Sequence, residues 1–148
     1  MTNIQAEEFD TLINQFFGFL IGEYHFVLKK INDLSYNFET TATRISIFAE
    51  YDRVVVGIVP ISEEDRKLRQ NNILPEQLGI TVAAKGIDPN FNYEVNWGES
   101  IASSMERQAL VTKNYCKEFL LGDFSKWTNV LEEMKKARMK LRNSNLQK

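Results

Sequence analysis

Cysteine and histidine are nearly missing from this chain, and that scarcity removes whole classes of chemistry. It has one of each, His25 and Cys116, ninety-one positions apart. A lone cysteine forms no intrachain disulfide, so the pattern is that of a reducing compartment and not of a secreted, cross-linked scaffold. Neither residue has a partner at a ligand spacing such as C-x-x-C or H-x-x-x-H, so no metal site is expected. The G-x-S-x-G elbow, the G-x-G-x-x-G loop after a strand and the G-x-x-x-x-G-K-[ST] phosphate cradle are also missing, so no cofactor is expected.

Long hydrophobic runs are lacking too. FFGFLI, the longest near the start, is far short of the ~20 residues that span a bilayer. The opening MTNIQAEEFD is polar and acidic, with no basic stretch followed by an apolar one. The expectation is a cytoplasmic protein without membrane association. There are only three prolines and seven glycines, and no repeat or low-complexity linker divides the chain. Residues 1–148 therefore read as a single domain, with a polar, frayed tail from about residue 143.

What is present is a globular composition, 43% hydrophobic and 26% charged, with an uneven charge distribution. From Lys126 onward seven Lys/Arg face two Glu, a net of +5, while the preceding part carries a net of −7. An acidic body with a basic end suits a protein partner of mixed charge, or its own other half, and disfavours a dedicated nucleic-acid binder. Lys135, Lys136, Arg138, Lys140 and Arg142 lack interleaved aromatics for base stacking. They read as cations favoured near a helix C-terminus.

Periodicity divides the chain into helix, strands and helices. Phe9, Leu12, Ile13, Phe16, Phe17 and Leu20 form one helical stripe, with Gly22 as its end signal. EYHFVLKKIND is ambiguous between loop, short strand and helical turn. In TRISIFAEY, Ile45, Ile47, Ala49 and Tyr51 alternate with Arg44, Ser46, Phe48 and Glu50, as in a half-buried strand. Asp52-Arg53 reads as a turn into VVVGIVPI, expected to be a central strand covered on both faces. Ser62 with Asp65 resembles a capping box opening a short polar helix, EEDRKLRQ. ITVAA and FNYEVNW read as two further strands, the second with Phe91, Tyr93, Val95 and Trp97 on one apolar face. Ala102, Met105, Ala109, Thr112, Cys116, Phe119 and Leu120 predict a helix. Trp127, Val130, Leu131, Met134, Ala137 and Leu141 predict another. Between these two, LLGDFSKW reads as a capped corner, with Gly122 at positive φ and Asp123 or Ser125 as the next cap. The expected fold class is α+β: an antiparallel sheet of about four to six strands packed by an N-terminal helix and a C-terminal helix pair.

Catalytic readings are thin. A Cys116–His25 pair could act as nucleophile and base, but Cys116 falls on an apolar helical stripe, where it reads as a small buried hydrophobe. Glu23 beside His25 is weakly placed, since adjacent side chains diverge. A carboxylate-only enzyme stays open as a remote alternative.

The segments FxxLIxxFFGFL, FAEYDRVVVGIVPI and LLGDFSKW resemble a group of small bacterial α+β proteins, some of them similar to the immunity proteins of toxin systems. The resemblance implies a non-enzymatic module that blocks a cognate toxin by occlusion. Acidic groups would face a basic toxin patch, and the candidates are Glu50, Asp52, Glu63, Glu64 and Asp65. The layout is also similar to small acidic chaperones of protein-secretion systems, which implies binding of an effector segment. The basic final helix departs from the even acidity of that group.

Overall fold

The computed structural model describes residues 4–50, 53–61, 79–92 and 98–146. Helix α1, Ala6–Phe17, begins after an extended Gln5 and carries Glu7 and Glu8 in its first turn. Those carboxylates stand where the helix dipole is positive. Phe9, Ile13 and Phe17, four residues apart, are fully buried.

Gly18 interrupts the helix: a Cβ there would stand 2.5 Å from the Asn14 carbonyl oxygen. A second helix, α2 (Phe19–Tyr24), follows and contains Gly22. It is stopped by His25, which adopts a left-handed conformation with φ 60° and ψ 31°. The Phe26 N–H closes the turn onto the Leu20 carbonyl at 2.9 Å. The end signal expected at Gly22 thus lies three residues later, on a non-glycine residue that tolerates this region better than most.

Four antiparallel strands follow in sequential order: β1 Val27–Asn32, β2 Ser35–Glu39, β3 Thr43–Glu50 and β4 Arg53–Pro60. The ambiguous segment after His25 is therefore a strand. Register aligns two cross-strand rows, Leu28–Phe38–Ile45–Ile58 and Lys30–Tyr36–Ile47–Val56. Tyr36, Phe38, Ile45, Ile47, Val56 and Ile58 on these rows are buried. Helix α1 lies over them, with the Phe9 ring 5.7 Å from Tyr36 and Phe17 6.4 Å from Phe38. Asp10 Oδ1 accepts a 2.7 Å hydrogen bond from the Tyr36 hydroxyl, so the ring is held at both its apolar body and its polar tip. On the other face Glu39 bridges strands, 2.6 Å from Lys29 Nζ and 2.9 Å from Arg44 Nε.

β4 is buried at successive positions from Val56 to Pro60, so the expectation of cover on both faces holds. Its position differs, because it ends the described four-strand order instead of lying centrally. An isolated bridge from Gly57 to Gly79 brings the next element against it.

That element corrects a sequence expectation. ITVAA, read as a strand, opens helix α3, Ile80–Ile87. A short apolar run does not distinguish a buried strand from a buried helix by period alone. Here Ile80, Ala83 and Ala84 form the buried helical face. FNYEVNW, also read as a strand, is not one where it is described. Phe91 and Asn92 carry no strand pairing, and the Phe91 ring instead sits 4.6 Å from that of Tyr115. Residues 93–97 of that segment, and the expected helix EEDRKLRQ, lie outside the described residues.

The long C-terminal stripe forms α4, Ile101–Tyr115, and a short α5, Lys117–Leu120. They are separated at Cys116 by a non-helical φ of −107°. Ser100 caps α4 through its Oγ, which accepts from the Ser103 N–H at 3.1 Å. Met105, Ala109, Thr112, Cys116, Phe119 and Leu120 are all buried, as their spacing predicts. Two side-chain bonds tie these helices to the sheet: Gln108 Nε2 donates to the Val54 carbonyl at 2.9 Å, and Thr43 Oγ1 to the Phe119 carbonyl at 2.7 Å.

Helix α6, Trp127–Leu146, closes the described chain and extends into the segment expected as a frayed tail. The corner before it takes the expected form. Gly122 has φ 84°, its N–H bonds the Phe119 carbonyl, and the Asp123 N–H bonds the Glu118 carbonyl at 2.9 Å. This is the double closure of a Schellman motif. Asp123 Oδ1 then accepts from the Ser125 N–H at 3.0 Å, a turn that precedes the helix instead of capping it. Trp127 packs edge-on to Phe119 and Phe124, and its buried indole N–H has no acceptor among the described residues.

Candidate protein-binding groove

Of the acidic residues proposed for partner contact, Glu50 alone lies among the described residues. Glu50 ends β3 and is 3.2 Å from Arg53 Nη2, an exposed cross-strand pair. Asp52, Glu63, Glu64 and Asp65 lie outside the described residues. The nucleophile candidates differ in burial. Cys116 is fully buried, and burial pushes its thiol up to about 12. The sole histidine is exposed and serves as the left-handed stop of α2. A thiol so held is protonated at neutral pH and inert. Among the described residues no cluster of His, Cys, Asp and Glu could hold a metal ion, and no helix is long and apolar enough to cross a membrane.

A concavity does occur where α1 and α2 run beside α4. It encloses about 230 Å³ and is lined by Gln15, Phe16, Phe19, Glu106, Ala109, Leu110 and Lys113. Its origin lies in the helical period. Glu106, Ala109, Leu110 and Lys113 fall at i, i+3, i+4 and i+7, one face of α4. Phe16 and Phe19 are three residues apart across Gly18, whose φ of −58° and ψ of −25° keep the chain in a right-handed helical twist, so the two rings share a side. Phe9, Ile13 and Phe17 take the core-facing side, leaving Phe16 and Phe19 only partly buried. Leu110 is 51% exposed, an apolar side chain with no place on the buried stripe of its own helix.

The charges on this groove differ in their engagement. Lys113 Nζ sits 5.4 Å from the centroid of the Phe19 ring and 3.7 Å from Glu23 Oε1. That cation is held by a ring face and a carboxylate. The Glu106 side chain, on an exposed residue, makes no hydrogen bond or ion pair with the described residues.

Sequence reasoning overlooked this site. Its signals were Leu110, which interrupts the polar side of a well-defined stripe, and an N-terminal stripe with more aromatics than one helix face can bury.

The chain matches no protein-family model, no curated protein and no solved structure.

Proposed function

We propose that this chain is a non-enzymatic protein-binding module, of the immunity type, that blocks a cognate toxin by occlusion. The observation that carries the reading is the open groove floored by Phe16, Phe19, Ala109 and Leu110. Exposed leucine and phenylalanine surface grouped in a concavity is costly in water and gains by being covered. At about 230 Å³ the groove is smaller than the roughly 300–1,000 Å³ typical of small-molecule sites. Its lining supplies anchoring surface, and its charged residues, Glu106 and Lys113, are exposed to water. The acidic part of the chain before Lys126, with its net of −7, favours a basic partner surface and speeds encounter with it.

Coexpression tests this function. A toxin encoded beside this gene should arrest growth alone, and this protein should restore it. Leu110→Asp should lose both the rescue and the complex. The reading sinks if the neighbouring protein is harmless, or if rescue is unaffected by a charge in the groove.

A further inference from the structure

We infer that the groove receives an amphipathic α-helix of the partner, with a Lys or Arg of that helix set against Glu106. This inference rests on the protein-binding reading of the same groove.

Two features of the walls select a helix over an extended segment. The groove is walled by helices α1, α2 and α4, which offer no open sheet edge for an incoming strand to pair with. An extended peptide would bring its own backbone groups into an apolar floor and find only the side chains of Gln15, Glu106 and Lys113 to satisfy them. A helix brings a backbone already satisfied and presents apolar side chains at i, i+3, i+4 and i+7. The α4 face has the same period, and its lining residues from Glu106 to Lys113 span about 10 Å, or two turns. That length matches two successive apolar anchors on an incoming helix.

The charges select its sign. Lys113 already faces Glu23 and the Phe19 ring, whereas the Glu106 carboxylate faces no cation among the described residues. The unmatched charge of the groove is therefore negative, and a basic helix complements it. An acidic helix would set like charges together.

Fluorescence anisotropy on the full chain tests this with three labelled peptides of about 18 residues, long enough for appreciable helix. One is a Leu/Lys amphipathic helix, the second carries Glu for every Lys, and the third carries two central prolines that forbid the helix. Wild type should bind the basic peptide at low salt and neither of the others comparably. Glu106→Lys should weaken the basic peptide roughly tenfold and improve the acidic one. Glu106→Gln should fall between, and Leu110→Asp should abolish binding. Both positions are exposed, and unchanged melting curves verify that the variants fold.

Equal affinity of wild type and Glu106→Lys for the basic peptide overturns the inference. So does wild-type binding of the acidic or proline peptide as tight as that of the basic one. If no peptide binds while Leu110→Asp loses the natural partner, the helix assignment falls and the groove reading stands. If Leu110→Asp retains the natural partner, both fall. A Leu110-dependent dimer in sedimentation would place a second copy of this chain in the groove and overturn the external helix.

Discussion

Gly86 of α3 lies against Val130 of α6 with no room for a side chain. A Cβ on the glycine would stand 2.4 Å from Val130 Cγ2 and 2.9 Å from the Val130 backbone nitrogen and Cα. Lys85 Nζ and Glu133 Oε2 span the same pair of helices at 3.9 Å. The short α3 packs this closely on α6 because residue 86 carries no side chain.

Gly86→Ala separates two opposing effects. Alanine gains about 1 kcal/mol over glycine from intrinsic helix propensity. Here a methyl group would meet backbone that cannot rotate away, and overpacking costs of about 1–3 kcal/mol outweigh that gain. Chemical denaturation should show a net loss of stability. An increase in midpoint would mean that the helices separate freely.

The Gly122 corner is the second backbone test. With φ at 84°, and with Ala42 Cβ only 3.1 Å from where a Cβ on residue 122 would stand, Gly122→Val is opposed by both conformation and contact. A loss of at least about 1 kcal/mol is expected. An unchanged thermal midpoint would contradict the left-handed corner.

Much of this architecture was legible in the sequence. The stripe from Met105 to Leu120 and the alternation around Ile45 and Ile47 translate directly into buried faces, because period reports which side faces the core. The positive φ of Gly122 was readable because glycine at a stripe's end has few other uses. The α3 helix was not legible, since ITVAA is short, apolar and partly β-branched. Only the tight seat against Val130 discloses why Gly86 stands in its last turn. His25 as a helix stop was hidden by the nearer Gly22. The groove was hidden for another reason: it arises between elements distant in sequence, and Leu110 alone marked it.

Stability should vary at both ends of the pH scale. Hydrogen bonding from Lys29 and from Arg44 holds the Glu39 carboxyl below its ordinary value of 4.5, against the opposing effect of burial. The folded state therefore binds that proton less readily than the unfolded chain. Its contribution is present above about pH 4.5 and is lost as pH falls through the lower folded value. Tyr36 behaves oppositely. Burial, followed by the hydrogen bond to Asp10, raises its hydroxyl from 10.0 to about 12. Its contribution is complete below pH 10 and declines as pH rises toward 12. Denaturation midpoints measured across pH should fall at both extremes, with Glu39→Gln flattening the acid limb and Tyr36→Phe the alkaline one. Unaltered limbs in these variants would assign the pH dependence to other groups.

Thr43→Val tests the link between sheet and helix. The variant removes the donor to the Phe119 carbonyl, which still accepts from the Gly122 N–H at 3.0 Å. Because that carbonyl stays satisfied, the expected cost is about 1 kcal/mol, short of the full penalty for an orphaned buried group. Urea unfolding of the variant gives the value directly.

Cys116 should be silent in the native protein. With its thiol fully buried and raised to about 12, reaction with a thiol reagent should require opening of the fold. Labelling should accelerate with denaturant in step with unfolding. Rapid labelling in buffer would contradict the buried placement.

Whether the α1–α2/α4 groove is the protein-binding surface can be decided by quantitative capture from the native host. Wild type, Leu110→Asp and a control, Met139→Asp, would be compared side by side. The control changes a side chain 62% exposed on α6 that does not line the groove. The expected result is one enriched partner retained by wild type and Met139→Asp and lost by Leu110→Asp. Retention of that partner by Leu110→Asp, with all three proteins equally folded, would remove the groove from the binding surface.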